Sequence, residues 1–277
     1  MTDEPLVIEG TVEAGVLRIV LNRPGMRNAQ SLALLYALDD AFASAMADPA
    51  VRVVVLAGAG PHFSAGHDLR GTLDTHAGAD FRSAAAGDAV HGDDGWSYMA
   101  REEEVYLGLC RKWRDLPKPT IAAVQGRCIA GGLMLAWACD LIVAAEDALF
   151  VDPVVMMGVS GVEWFLHPWE LGARKAKEML FTGDAIGARE ALERGMVNHV
   201  VPAAELAAFT DALARKIALR PPRALAATKK AVNETLDIQG QRSATEFAFR
   251  MHHLTHYDNM QRLGTLGDPG GMPVRKT

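Results

Sequence analysis

Two glycine-bearing stretches are the places where this chain's backbone could do chemistry: Phe63-Ser64-Ala65-Gly66-His67-Asp68-Leu69 and Cys128-Ile129-Ala130-Gly131-Gly132-Leu133-Met134. Each follows an apolar run that reads as a buried strand, and the second opens a helix-like segment. Glycine lets a main chain turn and approach a ligand without a Cβ clash, and the N–H groups at a helix start favour an oxygen carrying negative charge. Two such donors aimed at one point make an oxyanion hole. Taken alone, a Gly-Gly pair after a strand also fits a tight turn with close helix packing.

The elements that must hold these stretches are Arg52 to Ala57 and Thr120 to Gln125. Both runs are short, rich in apolar residues and lack alternation, the pattern of strands covered on both faces, so the fold class is α/β. Upstream, strand-like Leu17 to Leu21 gives way at Pro24-Gly25 to a helix of about four turns, with Leu35, Leu38, Phe42 and Ala45 at helical spacing. The region Gly71 to Gly95 holds five Gly and five Asp without a sustained period and reads as a mobile loop, with His76, His91 and Trp96 in or beside it. Glu102 to Trp113 reads as a helix, broken by Leu116-Pro117-Lys118-Pro119 before the next strand. Beyond Pro202 the pattern is helical in three segments, Ala203 to Leu219, Arg223 to Leu236 and Ser243 to Leu263.

The order of motifs adds what no single motif carries. Val20-Leu21-Asn22-Arg23-Pro24 with Asn28-Ala29 is followed by Phe63 to Leu69, then by Pro119 to Val124 leading into Ala130-Gly131-Gly132, then by Ala138-Cys139-Asp140. Phe181-Thr182-Gly183, Glu190 to Asn198 and Val200-Val201-Pro202 continue the set. This series, over residues 5 to 235, resembles the crotonase superfamily of enoyl-CoA hydratases and isomerases. The resemblance implies a crotonase-like spiral of ββα units, with residues 1–202 as the acyl-CoA binding core and 203–277 as a helical oligomerisation subdomain. It also implies an acyl-CoA thioester substrate, coenzyme A entering only as part of that substrate, and assembly as a homotrimer or dimer of trimers. On the matching positions the thioester carbonyl would sit between the amides of His67 and Gly131, with Ala65, Asp68 and Leu69 beside it, and an enolate would be stabilised there. The ending Gly264 to Thr277 departs from the usual helical tail.

Acid-base chemistry is where the chain departs most. Typical hydratases of this superfamily use two glutamates, and the matching positions here are Met134 and Val154. Neither side chain can exchange a proton, so the two-carboxylate hydration is not supported. Met134, Trp137, Val154, Val155, Met156 and Met157 instead suggest an apolar pocket floor, with Trp137 and Met157 equally readable as plain core. Three proton carriers remain as candidates. His67 adjoins its own predicted donor amide; Asp152 lies two residues before the lost glutamate, where it could equally hold a turn with Pro153. Glu163 follows Gly158-Val159-Ser160-Gly161-Val162 into a predicted helix, where a first-turn carboxylate also suits the helix dipole. Asp68 and Asp140 read as residues that hold backbone turns. Two functions stay open: an enzyme of this type working with altered acid-base groups, or an acyl-CoA binding protein without proton transfer.

Composition bounds the rest. The 277 residues, 49% hydrophobic with a formal net charge of −6, can bury one large core, and their interspersed charges leave no basic stripe for nucleic acid. No run approaches a membrane span and the start carries no signal pattern, which predicts a cytoplasmic protein. Cys110, Cys128 and Cys139 lack paired spacing and read as free thiols. No metal is expected. The nine histidines include no His-Glu-x-x-His, and His252, His253 and His256 read as an exposed face of the last helix.

Overall fold

The structure is a computed structural model that describes residues 4–69, 81–82, 92 and 94–271. The expected Gly71 to Gly95 loop, with His76 and His91, falls mainly outside the described residues; Trp96 is described and exposed.

In chain order, β1 (Val7–Glu9) and β2 (Val16–Leu21) lead to α1 (Leu32–Ala47) and β3 (Val53–Gly58). A helical stretch then runs through α2 (Gly95–Glu102), a π-helical segment (Glu103–Gly108) and α3 (Leu109–Arg114). Next come β4 (Thr120–Val124), β5 (Arg127–Ile129), α4 (Gly131–Trp137), β6 (Leu141–Ala145) and β7 (Leu149–Val151). A 3-10 turn (Val154–Met157) precedes α5 (His167–Leu171), α6 (Ala173–Thr182), β8 (Ile186–Gly187), α7 (Ala188–Glu193) and β9 (His199–Val201). Three long helices close the described chain: α8 (Leu206–Ala218), α9 (Pro222–Ile238) and α10 (Gln241–Leu263). None of the described helices is long and apolar enough to cross a membrane.

Six strands form one sheet in the order β1-β2-β3-β4-β6-β9, parallel except for β1. Alternate residues serve two cores. Val53, Val55, Ile121, Ala123, Val143 and Ala145 pack with Leu206, Ala214 and Ala218 of α8, so the first of the three C-terminal helices is a layer of the sheet. Val54, Leu56, Ala122, Val124, Ile142 and Ala144 join the larger core, with Leu38 and Phe42 of α1 and Leu133 of α4. Burial on both faces is why the strands show no alternation. The second sheet, β5-β7-β8, consists of strands of two or three residues, too short for any periodicity to register.

The second sheet sets the position of the glycine stretches. Ile129 N–H donates to Ser64 O, and Ser64 N–H to Arg127 O, which ties the first stretch to β5. Gln30 N–H donates to Gly66 O and Asp68 N–H to Gln30 O on the other side. Asn28, fully buried, holds the intervening loop by donating from Nδ2 to the carbonyls of Ala59, His62 and Phe63 while its Oδ1 accepts from Arg23 N–H.

Candidate active site

The two stretches meet. Gly66 has φ +83°, and a Cβ there would lie 2.7 Å from Ile129 O and 3.2 Å from Gly131 N. A Cβ on Gly131 would fall 2.6 Å from the His67 ring. Only residues without a side chain allow this approach. Ala130, which precedes Gly131, is held at φ 47°, ψ −110° with its N–H on Val151 O at 2.8 Å, a conformation that L-residues adopt only under constraint. Gly131 is the first residue of α4, so its N–H has no acceptor within the helix.

Ala65, His67, Leu69 and Ala130 line one side of a cavity of about 160 Å³. Glu102, Tyr106, Glu163, His252 and His256 also line it, with Val154, Met157 and Leu266 completing apolar parts of the wall. The His67 ring stacks on Tyr106 with centroids 3.9 Å apart, and its Nδ1 lies 3.7 Å from Glu163 Oε1. Glu163 Oε1 is also 3.7 Å from His252 Nε2, and His252 Nε2 is 3.2 Å from Glu102 Oε2. Four ionisable groups from four parts of the chain thus form a row.

The charges along this row follow from burial. Removal from water pushes the Glu163 carboxyl up to about 8 in spite of the neighbouring His252. Burial alone would lower His252, but the carboxyls of Glu163 and Glu102 outweigh it and raise the imidazole to about 9. Burial would likewise raise Glu102; the imidazoles of His256, His252 and His253 hold it below the usual carboxylate range instead. His253, with fewer compensating contacts, is lowered by burial to about 4.

Several expectations require correction. The face carrying His252 and His256 is not exposed: both are buried, and both line the cavity. Glu163 is not in the first turn of a helix but in the irregular segment before α5, so no helix dipole accounts for it. Asp152 is fully buried behind the cavity wall, where its carboxylate meets His167 Nε2 at 3.0 Å and accepts from the N–H groups of Val154 and Val162. It braces the segment leading to Glu163 and is not a cavity-lining group. Asp68 carboxylate is engaged by Arg23 at 2.9 Å and does not line the cavity either. Met134 and Trp137 are core, whereas Met157 reaches the cavity. Asp140 does hold a turn, accepting from Thr120 N–H and pairing with Lys229.

Glu102, Tyr106, His252 and His256 went unnoticed as site residues in the sequence. A usable signal lies in α10, whose buried residues Gln241, Thr245, Phe249, His252, His256 and Asn259 follow helical spacing yet are mostly polar. A buried stripe of polar groups must face something polar. The π-helical turn after Glu102 is a second signal, visible only in coordinates, because such turns recur at functional sites.

Comparison with known proteins shows the family. Residues 11–266 match the model of the family described as Enoyl-CoA hydratase/isomerase. The crystal structure of a probable enoyl-CoA hydratase from Mycobacterium thermoresistibile superposes with a TM-score of 0.85 at 48% identity, covering 94% of this chain and 98% of that one. One from Mycobacterium smegmatis gives the same TM-score at 45% identity, with the same coverage. A hydroxycinnamoyl-CoA hydratase-lyase from Pseudomonas fluorescens is 34% identical over 79% of this chain and 75% of its own length. With the family model and the superposed structures in agreement, the chain belongs to the enoyl-CoA hydratase/isomerase family of the crotonase superfamily.

Proposed function

We propose that this protein is an acyl-CoA enzyme in which the amides of His67 and Gly131 hold the thioester carbonyl and Glu163 moves the proton at the adjacent acyl carbon. The observation that carries the reading is the place of Glu163: a buried carboxyl in the cavity wall, 3.7 Å from the ring of the residue whose amide is one proposed donor. An oxyanion hole stabilises the enolate left when an α-proton is removed, and a carboxyl within reach takes or returns that proton. Glu163 thereby stands in for the carboxylates that Met134 and Val154 replace. Met134 is buried in the core, and Val154 leaves only apolar surface where it lines the cavity.

Names of relatives support the substrate class, since hydratase and hydratase-lyase relatives are named for CoA thioesters. The cavity, mostly apolar apart from the ionisable row, suits an acyl chain. A protein that only binds acyl-CoA would have no use for a buried glutamate and histidine at this point, each of which costs stability to keep out of water.

The test is α-proton exchange. Incubated with a saturated acyl-CoA in D2O, the enzyme is expected to wash deuterium into the α-position, read by NMR, and Glu163→Gln is expected to stop the exchange while acyl-CoA still binds. Exchange at an undiminished rate in the variant would remove Glu163 from the mechanism.

A further inference from the structure

Three imidazoles converge on one carboxylate oxygen in this cavity wall. His252 Nε2 lies 3.2 Å, His253 Nε2 3.2 Å and His256 Nε2 3.6 Å from Glu102 Oε2. The other ring nitrogens of two of them are already committed. His252 Nδ1 is 2.6 Å from Gly161 O and His256 Nδ1 2.7 Å from Leu266 O, and a backbone carbonyl only accepts, so each Nδ1 carries the proton. In the neutral form each Nε2 therefore turns a lone pair toward Glu102. His252 Nε2 and Glu102 Oε2 are shut off from solvent and face each other at 3.2 Å, on side chains more than nine-tenths buried. Lone pairs facing a carboxylate in a buried site repel unless a positive charge lies between them. A proton can join only one imidazole to the oxygen; a metal ion can join several.

We propose that Glu102, His252 and His256 form a binding site for a divalent transition-metal ion of the zinc class. The three donor atoms lie within 4.8 Å of one another. Ligand atoms on a tetrahedral ion with bonds of 2.0–2.1 Å are about 3.3 Å apart, close to the separations of the two imidazoles from Glu102. The donor set, two imidazoles and one carboxylate, suits zinc, iron, cobalt or nickel and not the all-oxygen preference of magnesium or calcium. Hydrogen bonds from Nδ1 to backbone carbonyls are the outer contacts that fix the tautomer and aim of metal-binding histidines. Spacing of four residues puts His252 and His256 on one face of α10, and Glu102 approaches from the end of α2. All three residues line the cavity, so an ion held by them would border the space proposed for the acyl group.

The test uses the full-length protein freed of metal with a chelator and titrated with Co2+, followed by absorption spectroscopy. Expected is one Co2+ per chain with visible d–d bands of a low-symmetry site, displaced by stoichiometric Zn2+. His256→Gln and Glu102→Gln should each weaken binding by more than about 100-fold, beyond the loss of an outer contact alone. Should either variant fail to fold, the other and the wild-type spectrum decide. Absence of tight Co2+ or Zn2+ binding to wild type overturns the proposal. So does binding that persists unchanged in the folded variants, because it then belongs to other histidines.

Discussion

The two walls of the cavity are built by opposite means. One consists of backbone supplied by contiguous stretches, Phe63 to Leu69 and Cys128 to Met134, each placed by the strand before it and tied together by hydrogen bonds between Ser64 and β5. The other consists of side chains from positions far apart in the chain, Glu102, Glu163, His252 and His256, each delivered by a different element or turn of helix. In the proposed function the first wall binds the carbonyl through its amides, which depend little on the side chains around them. The second depends on which groups are brought together. On the proposed reading, the fold keeps the first wall and rebuilds the second around Glu163.

Substitutions that strike one wall separately should expose this division. The largest effect is expected from Asp152→Ala, which leaves His167 buried without its partner and frees the N–H groups of Val154 and Val162. Breaking a buried pair costs about 3–5 kcal/mol, to be read as a fall in urea midpoint at unchanged m-value. An unaltered midpoint would mean that Asp152 does not brace the segment carrying Glu163.

Gly131→Pro comes next. It removes the proposed donor amide and also sets a Cβ about 2.6 Å from the His67 ring, so turnover should fall by at least the roughly 10²- to 10³-fold that loss of one such donor costs. Affinity for acyl-CoA and turnover should fall in a variant whose circular dichroism is unchanged. Intact turnover would show that the carbonyl is held elsewhere.

A smaller effect is expected from His67→Ala. The amide survives, so acyl-CoA affinity should change by less than about tenfold. Its ring touches both Tyr106 and the Glu163 carboxyl, and turnover should fall while binding persists. Collapse of both together would make the ring part of the binding surface and not of the proton path.

How much of this was legible in the sequence divides along the same line. The sheet strands over Val16–Leu21, Val53–Gly58 and Thr120–Val124 are legible as apolar runs, and the three C-terminal helices as helical patterns beyond Pro202. The backbone wall was legible for the same reason: glycines and strand ends are local signals. The side-chain wall was not. Glu163 sits in a segment without periodicity, and its meaning depends on His67 and His252, far from it in sequence. His252 and His256 looked like a solvated face because hydrophobic patterning cannot tell a polar face turned to water from one turned to a polar cavity. Asp152 looked like a proton carrier by its nearness to Val154, yet the strand end turns it into the core onto His167.

The most direct measurement of the division between walls is Glu163→Gln, which keeps the shape of the side chain and removes its acid-base chemistry. Dissociation constant and turnover are to be measured on one preparation of the variant and of wild type. Expected is an acyl-CoA affinity within about tenfold of wild type and a turnover lower by roughly 10²- to 10⁴-fold, the span usual for a general acid-base group. Turnover equal to wild type would contradict the assignment of proton transfer to the side-chain wall.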